Sequence, residues 1–336
     1  MAKTAIVILN FNGVDFLKKF LAGVVANSPE GEVIVADNGS TDDSVSYLKQ
    51  HFPHLRLILF ESNHGFTGGY NRAIAEIDHE YCVLLNSDIE VTPGWLNPIT
   101  EFLDQNPHVA ACQPKIKSYD QKDHFEYAGA AGGFLDALGY PYCRGRMFDT
   151  LEVDNQQYDN PVQCFWATGA SMFIRTDIYK KLGGLDEEFF AHMEEIDLCW
   201  RIQKHGLEVW CIPQSEVYHV GGGTLNKSNP RKTYLNFRNN LAMVYKNERA
   251  MKLAWLLPLR FTLDFISGIQ FWVEDSFAHF QAVLKAQIDF VMSIPHLNQK
   301  RKQFKKQIKQ TSVSRNSTSV VLQYFIRGKK HFSNFN

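Results

Sequence analysis

The run Tyr-Cys-Val-Leu-Leu-Asn-Ser-Asp at residues 81–88 decides the fold. Tyr81–Leu85 is apolar, too short for a globular helix, and stops at a polar turn, so it reads as a buried strand with Asn86, Ser87 and Asp88 at its carboxyl end. The same grammar recurs on both sides. Thr4–Leu9 is an apolar run ending at Asn10-Phe11-Asn12-Gly13, and Val33–Ala36 runs into Asp37-Asn38-Gly39-Ser40-Thr41-Asp42, a turn with a helix cap. Leu55–Phe60 and Val109–Cys112 add two more strands. Between them, Val14–Ala26, Gly68–Ile77 and Pro93–Leu103 have helical spacing. Alternating β and α units of this length predict a mostly parallel, Rossmann-like sheet flanked by helices. Residues 114–165, rich in Gly, Tyr and Asp, read as loops and short strands over a cleft. A strand at Thr168–Ile174, helices at 176–182 and 194–205, and strands near 208–212 and 215–220 follow.

Open α/β sheets bind ligands beyond the carboxyl ends of their strands. The polar clusters at Asn10–Asn12, Asp37 and Asn86–Asp88 all occupy such ends. As single loops they would be helix caps; three at equivalent positions favour a site. Asp88 is the clearest metal candidate, because a carboxylate ending a buried strand needs a cation or another partner. Residues 63–71, NHGFTGGYN, form a glycine-rich helix entry that could offer N–H groups to an anion but lacks the Walker pattern. Glu194, Glu195 and Asp197 crowd a helix start. They suit the helix dipole and an Asp197–Arg201 pair, and crowding equally suits a general base. Spacing leaves both readings open. His219, followed by three glycines at a strand end, is placed to reach a metal or phosphate.

In order and spacing, AIVILNFNG, VIVADNGSTDDS, NHGFTGGYNRAI, VLLNSDIEV, ATGASMFIR, GGLDEEFFAHMEEIDLCWR and HVGGGT resemble inverting family 2 glycosyltransferases of the GT-A fold, rhamnosyltransferase-like branch. The resemblance covers about residues 4–245. It implies an inverting transfer from a UDP- or dTDP-sugar to a glycan or lipid-linked glycan hydroxyl, in bacterial cell-surface polysaccharide synthesis, with Mn²⁺ or Mg²⁺. It implies donor contacts at Asn10, Asn12, Asp37, Asn38, Gly65, Asn71, Asn86, Gly169 and Ala170, an acceptor wall at Trp166, and metal ligands at Asp88 and His219. Asn86 replaces the first acid of the family's DxD motif. Glu195, preceded by Glu194, stands where the family has its catalytic Asp, with Glu194 and Asp197 as alternatives.

The six cysteines form no CxxC pair and read as reduced core residues. No signal-peptide pattern opens the chain, so a cytoplasmic location, peripheral on the inner membrane face, is expected, and the sequons at Asn38 and Asn316 carry no weight. Charge divides the chain in two. Residues 246–336 carry 15 Lys/Arg against 5 Asp/Glu, whereas residues 1–245 are acidic. This predicts a catalytic domain over 1–245 and a basic helical extension over 246–336. Within the extension, Met251–Val273 is an amphipathic helix or two helices broken near Pro258, because Arg260 and Asp264 argue against a bilayer span. A further helix over 276–293 leads into Lys300, Arg301, Lys302, Lys305, Lys306 and Lys309. The last residues read as partly disordered. The extension suits an anionic membrane surface or a homodimer; nucleic acid is disfavoured by the acidic body. Competing functions are a non-catalytic sugar-binding assembly subunit and a sugar nucleotidyltransferase, whose basic Gly-rich N-terminal signature is missing.

Overall fold

Short apolar runs buried on both faces make the centre of the sheet. The computed structural model describes residues 2–221, 229–305, 308–310, 313, 315 and 317–335. Gly222, Gly223 and Thr224 of the glycine motif, Lys306 and Asn316 lie outside them. In chain order the first half contains β1 (Thr4–Asn10), α1 (Val14–Ala26), β2 (Gly31–Asp37), α2 (Ser44–His51), β3 (Arg56–Leu59), α3 (Gly65–Ala75), β4 (Tyr81–Asn86), β5 (Ile89–Val91), α4 (Asn97–Gln105) and β6 (Val109–Ser118). Along β1, Ala5 and Val7 enter the core under α3, while Ile6 and Ile8 enter the opposite core with Leu17 and Leu21 of α1. This period-two division covers both faces of the strand.

Residues 114–165 contain a small antiparallel sheet of β7 (Gly133–Leu135), β8 (Pro141–Cys143), β9 (Arg146–Met147) and β10 (Thr150–Leu151), then β11 (Val162–Cys164). β12 (Ser171–Arg175), α5 (Thr176–Lys181), α6 (Glu194–Lys204) and β13 (Glu208–His219) complete the α/β body. The main sheet runs β11-β13-β6-β12-β4-β1-β2-β3, with β5 on β13. It is mixed. β4, β1, β2 and β3 are parallel, and so are β6 and β13. β12 is antiparallel to both neighbours, as β5 and β11 are to β13. The two strands read at 208–212 and 215–220 are one strand with an irregularity between Ile212 and Glu216. All six cysteines are free and buried.

Helix α7 (Pro230–Asn247), which the sequence reading passed over, packs on α6 and on the extension formed by α8 (Ala250–Glu274) and α9 (Phe277–Lys305). Its start is legible in hindsight: Asn229 caps Arg231 N at 2.9 Å, and Pro230 opens the helix. α8 runs unbroken through Pro258. Its Arg260 and Asp264 are fully buried and pair at 3.4 Å; Arg260 donates to Leu138 O and lies over the Tyr140 ring, whose hydroxyl donates to Asp264. No described helix is long and apolar enough to cross a membrane. The expected disorder after α9 is corrected in part. Val320 N donates to Asp136, Phe332 N donates to Glu152, and the Phe332 ring meets Phe134 and Tyr142. An aromatic-rich tail has enough apolar surface to seat on the small sheet.

Because Arg260 and Asp264 are buried together, removing one leaves the other uncompensated. Arg260→Ala or Asp264→Ala should lower stability by about 3–5 kcal/mol, and an apolar double replacement should cost less than either, as measured by denaturant unfolding.

Candidate active site

The ends of β1 and β2 are tied to each other. Asn10, fully buried, donates to Asp37 Oδ2 at 2.9 Å and to Ser40 Oγ at 3.2 Å, while Asp37 Oδ1 accepts from Ser40 N. Asn12 has φ of 51°, and its Oδ1 accepts from Thr41 N at 2.7 Å. Asp42 then accepts from Val14 N, satisfying the first turn of α1. Among the described residues Asn10 Oδ1 has no partner. A Cβ at Gly13 would lie 2.6 Å from that oxygen and 3.7 Å from Ser87 Oγ, so the ends of β1 and β4 converge where Gly13 leaves room. Phe11, about half exposed on the same turn, was not singled out from the sequence; it is an open ring beside these polar groups.

At the end of β4, Asp88 meets His219. Antiparallel pairing sets His219 opposite Ile89, and Val220 N donates to Asp88 O at 3.2 Å. His219 Nε2 lies 3.2 Å from Asp88 Oδ1, and its Nδ1 lies 3.3 Å from Glu126 Oε2. All three side chains are buried. The imidazole keeps the Asp88 carboxyl low despite burial, and the two carboxylates raise His219 to about 10. Among the described residues no three His, Cys, Asp or Glu side chains converge as a ready cage. With its Nε2 proton displaced, His219 could join Asp88 as a ligand of a Mg²⁺- or Mn²⁺-type ion whose remaining oxygens would come from a diphosphate. Glu126, inside the irregular 114–165 segment, carried no periodic or motif signal.

Ala170 and Gly169 link this end to the base end. Ala170 O accepts from Asn86 N at 2.9 Å. A Cβ on Gly169 would meet the Phe66 ring at 3.2 Å and Glu195 Cβ at 3.8 Å. Glu195 opens α6, and burial raises its carboxyl to about 7. Burial and the adjacent Glu195 raise Glu194 well above the usual range. Among the described residues no cation pairs with either, and Glu194 Oε2, Glu195 Oε2 and His192 Nε2 are buried without hydrogen-bond partners. The preceding loop holds Phe190, His192 and Met193 at φ of 63°, 71° and 74°. Such left-handed residues cost about 1–3 kcal/mol each. α7 holds them: Asn239 Nδ2, fully buried, donates to Phe189 O, Ala191 O and His192 O at 2.8–2.9 Å.

Five residues read from the sequence as site candidates are instead engaged by other parts of the protein. Asp197 cannot act as a base, since Arg201 Nε and Lys246 Nζ both donate to Oδ2 at 2.9 Å and Asn247 Nδ2 donates to Oδ1. Asn71 is used within the protein: it donates to Leu185 O and accepts from Leu185 N and Tyr179 OH. Asn38, buried, accepts from His64 N and donates to Asn63 and Gly65 O, and Gly65 N is taken by Asn63 Oδ1. Trp166 lies in the core against Gly133, its indole donating to Phe134 O, so it walls no open acceptor site.

Gly169 lies beside Glu195, and the next residue, Ala170, is bonded to the end of β4, so one short segment adjoins both an uncompensated carboxyl and the polar strand ends, an arrangement open to group-transfer chemistry. The sequence model of glycosyl transferase family 2 matches residues 5–181, more than half of the chain, and the chain belongs to that family. The match stops short of α6 and β13, so Glu195 and His219 lie beyond it. The N-acetylglucosaminyl-diphospho-decaprenol L-rhamnosyltransferase of Mycobacterium tuberculosis is 24% identical over 77% of this chain and 88% of that protein. Rhamnosyltransferase WbbL of Escherichia coli is 23% identical over 64% and 82%. Among solved structures, the mannosyltransferase PcManGT of Pyrobaculum calidifontis with GDP-Man and Mn²⁺ matches with TM-score 0.52 and 12% identity over 91% of this chain and 84% of that one. GalNAc-T7 with UDP, GalNAc and Mn²⁺ matches with TM-score 0.56 and 15% identity over 75% of this chain and 49% of that one. These share the GT-A fold, and the chain is a glycosyltransferase.

Replacing Glu195 by Gln should cut turnover by about 10²–10⁴ while donor affinity stays near wild type, read by nucleoside diphosphate release and calorimetry. Its folded carboxyl lies above the unfolded value of 4.5, so its contribution to stability is present below about pH 4.5 and lost as pH rises through about 7. The same variant should therefore melt higher than wild type at pH 8 and equally at pH 4. A loop displaced by about 1 Å costs on the order of 10² in rate. Asn239→Ala should accordingly lower kcat at least tenfold with little change in donor KM.

Proposed function

We propose that the chain moves a sugar from a UDP- or dTDP-linked donor, with inversion, to a hydroxyl of a lipid-linked glycan in bacterial cell-surface polysaccharide synthesis. The observation that carries this reading is Glu195: a carboxyl at about 7, free of cations among the described residues, beside Gly169, whose neighbour Ala170 is bonded to the end of β4. In this reading Asn10, Asn12 and Asp37 frame the nucleotide, and Asn86, Gly169 and Ala170 frame the sugar. Glu195 removes the proton from the acceptor hydroxyl as that oxygen attacks the anomeric carbon in a single displacement, and the nucleoside diphosphate leaves. Asp88 and His219 would hold a divalent ion, Mn²⁺ or Mg²⁺, which would supply positive charge for the diphosphate. The rhamnosyltransferase relatives make a dTDP-deoxyhexose the first donor to test. Nucleoside diphosphate release across a panel of UDP- and dTDP-sugars should single out one donor; activity with none of them would overturn the reading.

The partner of the extension follows from α8. Its exposed positions include Met251, Trp255, Leu259, Phe265, Ile266, Ile269, Trp272 and Val273; of its charges, Lys252 is half-buried, Arg260 and Asp264 are buried, and Glu274 at the last position is exposed. An outer face that carries tryptophans and is free of charge until its last residue suits the headgroup boundary of a bilayer. The basic run contributes less than its sequence implies, since Lys300 pairs with Asp186 and Arg301 donates to Tyr245 O. Lys302 and Lys305 stay exposed. We therefore place α8 on the membrane surface where a lipid-linked acceptor lies. Wild type should float with liposomes and a Trp255→Glu/Ile266→Glu/Trp272→Glu variant should not, while both turn over a water-soluble acceptor. A concentration-dependent dimer that fails to float would instead assign this face to a second copy.

A further inference from the structure

Two carboxylates approach His219 from opposite ring nitrogens, and only one can share a cation with it. Nε2 faces Asp88 at 3.2 Å; Nδ1 faces Glu126 at 3.3 Å, a close contact whose angle falls short of a hydrogen bond. We propose that Glu126 is a positioning residue for the divalent ion, holding the Nδ1–H of His219 so that Nε2 is presented with its lone pair toward the metal beside Asp88. The proposal rests on the metal reading above and adds a residue that does not itself touch the ion.

An imidazole that ligates through one nitrogen carries its proton on the other, and that proton needs an acceptor to fix the ring. The chain builds such an acceptor with care. Glu126 N donates to Ile116 O at 3.1 Å and Phe125 N donates to Glu152 O at 3.0 Å, which fixes the backbone beside the end of β6. Ala128 N then donates to Glu126 Oε2, the oxygen that faces the ring. His219 is fixed just as firmly, between Ser118 of β6 and Ile89 of β5. The approach also explains Gly221. Its φ is +70°, and a Cβ there would lie 2.8 Å from Glu126 Oε1, so a side chain would displace the carboxylate. Among the described residues two buried carboxylates meet one imidazole, a balance that favours a cation there.

The test is Mn²⁺ affinity, measured by calorimetry and by the electron paramagnetic resonance signal of free Mn²⁺, in the presence of whichever of UDP or dTDP the wild type binds. Glu126→Gln keeps shape and removes the charge; Glu126→Asp keeps the charge and shortens the reach; Asp88→Asn is the ligand control. Glu126→Gln should weaken Mn²⁺ by about 10–100-fold, with metal-free nucleotide affinity unchanged, and Glu126→Asp should recover part of the loss. Equal loss of metal-free nucleotide binding would show a collapsed pocket and overturn the proposal. So would Mn²⁺ affinity within twofold of wild type in Glu126→Gln when Asp88→Asn has lost the ion. Absence of Mn²⁺ binding by the wild type would overturn the metal reading itself.

Discussion

Lys246 is the tie on which the base end depends. Its ammonium is fully buried between Asp186 at 2.5 Å and Asp197 at 2.9 Å, with Arg201 on Asp197 and Lys300 on Asp186. These cations hold the Asp186 carboxyl well below its ordinary value. One buried network thus joins α6, α7, α9 and the loop before α6. Breaking such a network is costly because each remaining charge loses its compensation without regaining water. The same arrangement explains the chemistry of the neighbouring acids. Within one helical turn, Asp197 takes the available cations and Glu194 and Glu195 receive none. Their carboxyls rise because burial is left unopposed. Two acids two residues apart are therefore set apart by their partners: Asp197 is paired, and among the described residues Glu195 meets no cation.

At the other end of the site the polar side chains divide in the same way. Asn38 and Asn71 use their amides to close turns and stitch helices, while Asn10 keeps one oxygen free and Asp88 waits on a histidine. Few polar groups at these strand ends are thus left with unused capacity among the described residues, and those that are remain fixed by their neighbours. The loop at 190–193 shows what that fixation has to overcome. Three left-handed residues are held by one asparagine amide from a helix outside the central sheet.

The extension is part of this machinery. Arg260 and Asp264 fasten α8 to the small sheet through Tyr140, and Asn240 reaches from α7 to Gly139 O and to Met193 Sδ. Turning Arg260 and Asp264 inward leaves the outer face of α8 apolar up to Glu274 at its end. A helix that looked merely amphipathic in sequence thus has its two central charges on the protein side and its tryptophans outside.

The sequence alone determined the α/β architecture, since runs such as Ile6–Leu9 and Tyr81–Leu85 must be buried on both faces and their polar ends must gather on one edge. It also marked Asp88, His219, Glu194 and Glu195 as candidates, because acids and histidines at strand and helix ends are local signals. It could not say that Asp197 would be neutralised or that Trp166 would be core, because those outcomes rest on Lys246, Asn247, Gly133 and Phe134, residues far away in the chain. It passed over Glu126 and Asn239 for the same reason. Ionisation and orientation are set by burial and by partners brought together across the fold, and only the tertiary structure decides which partners those are.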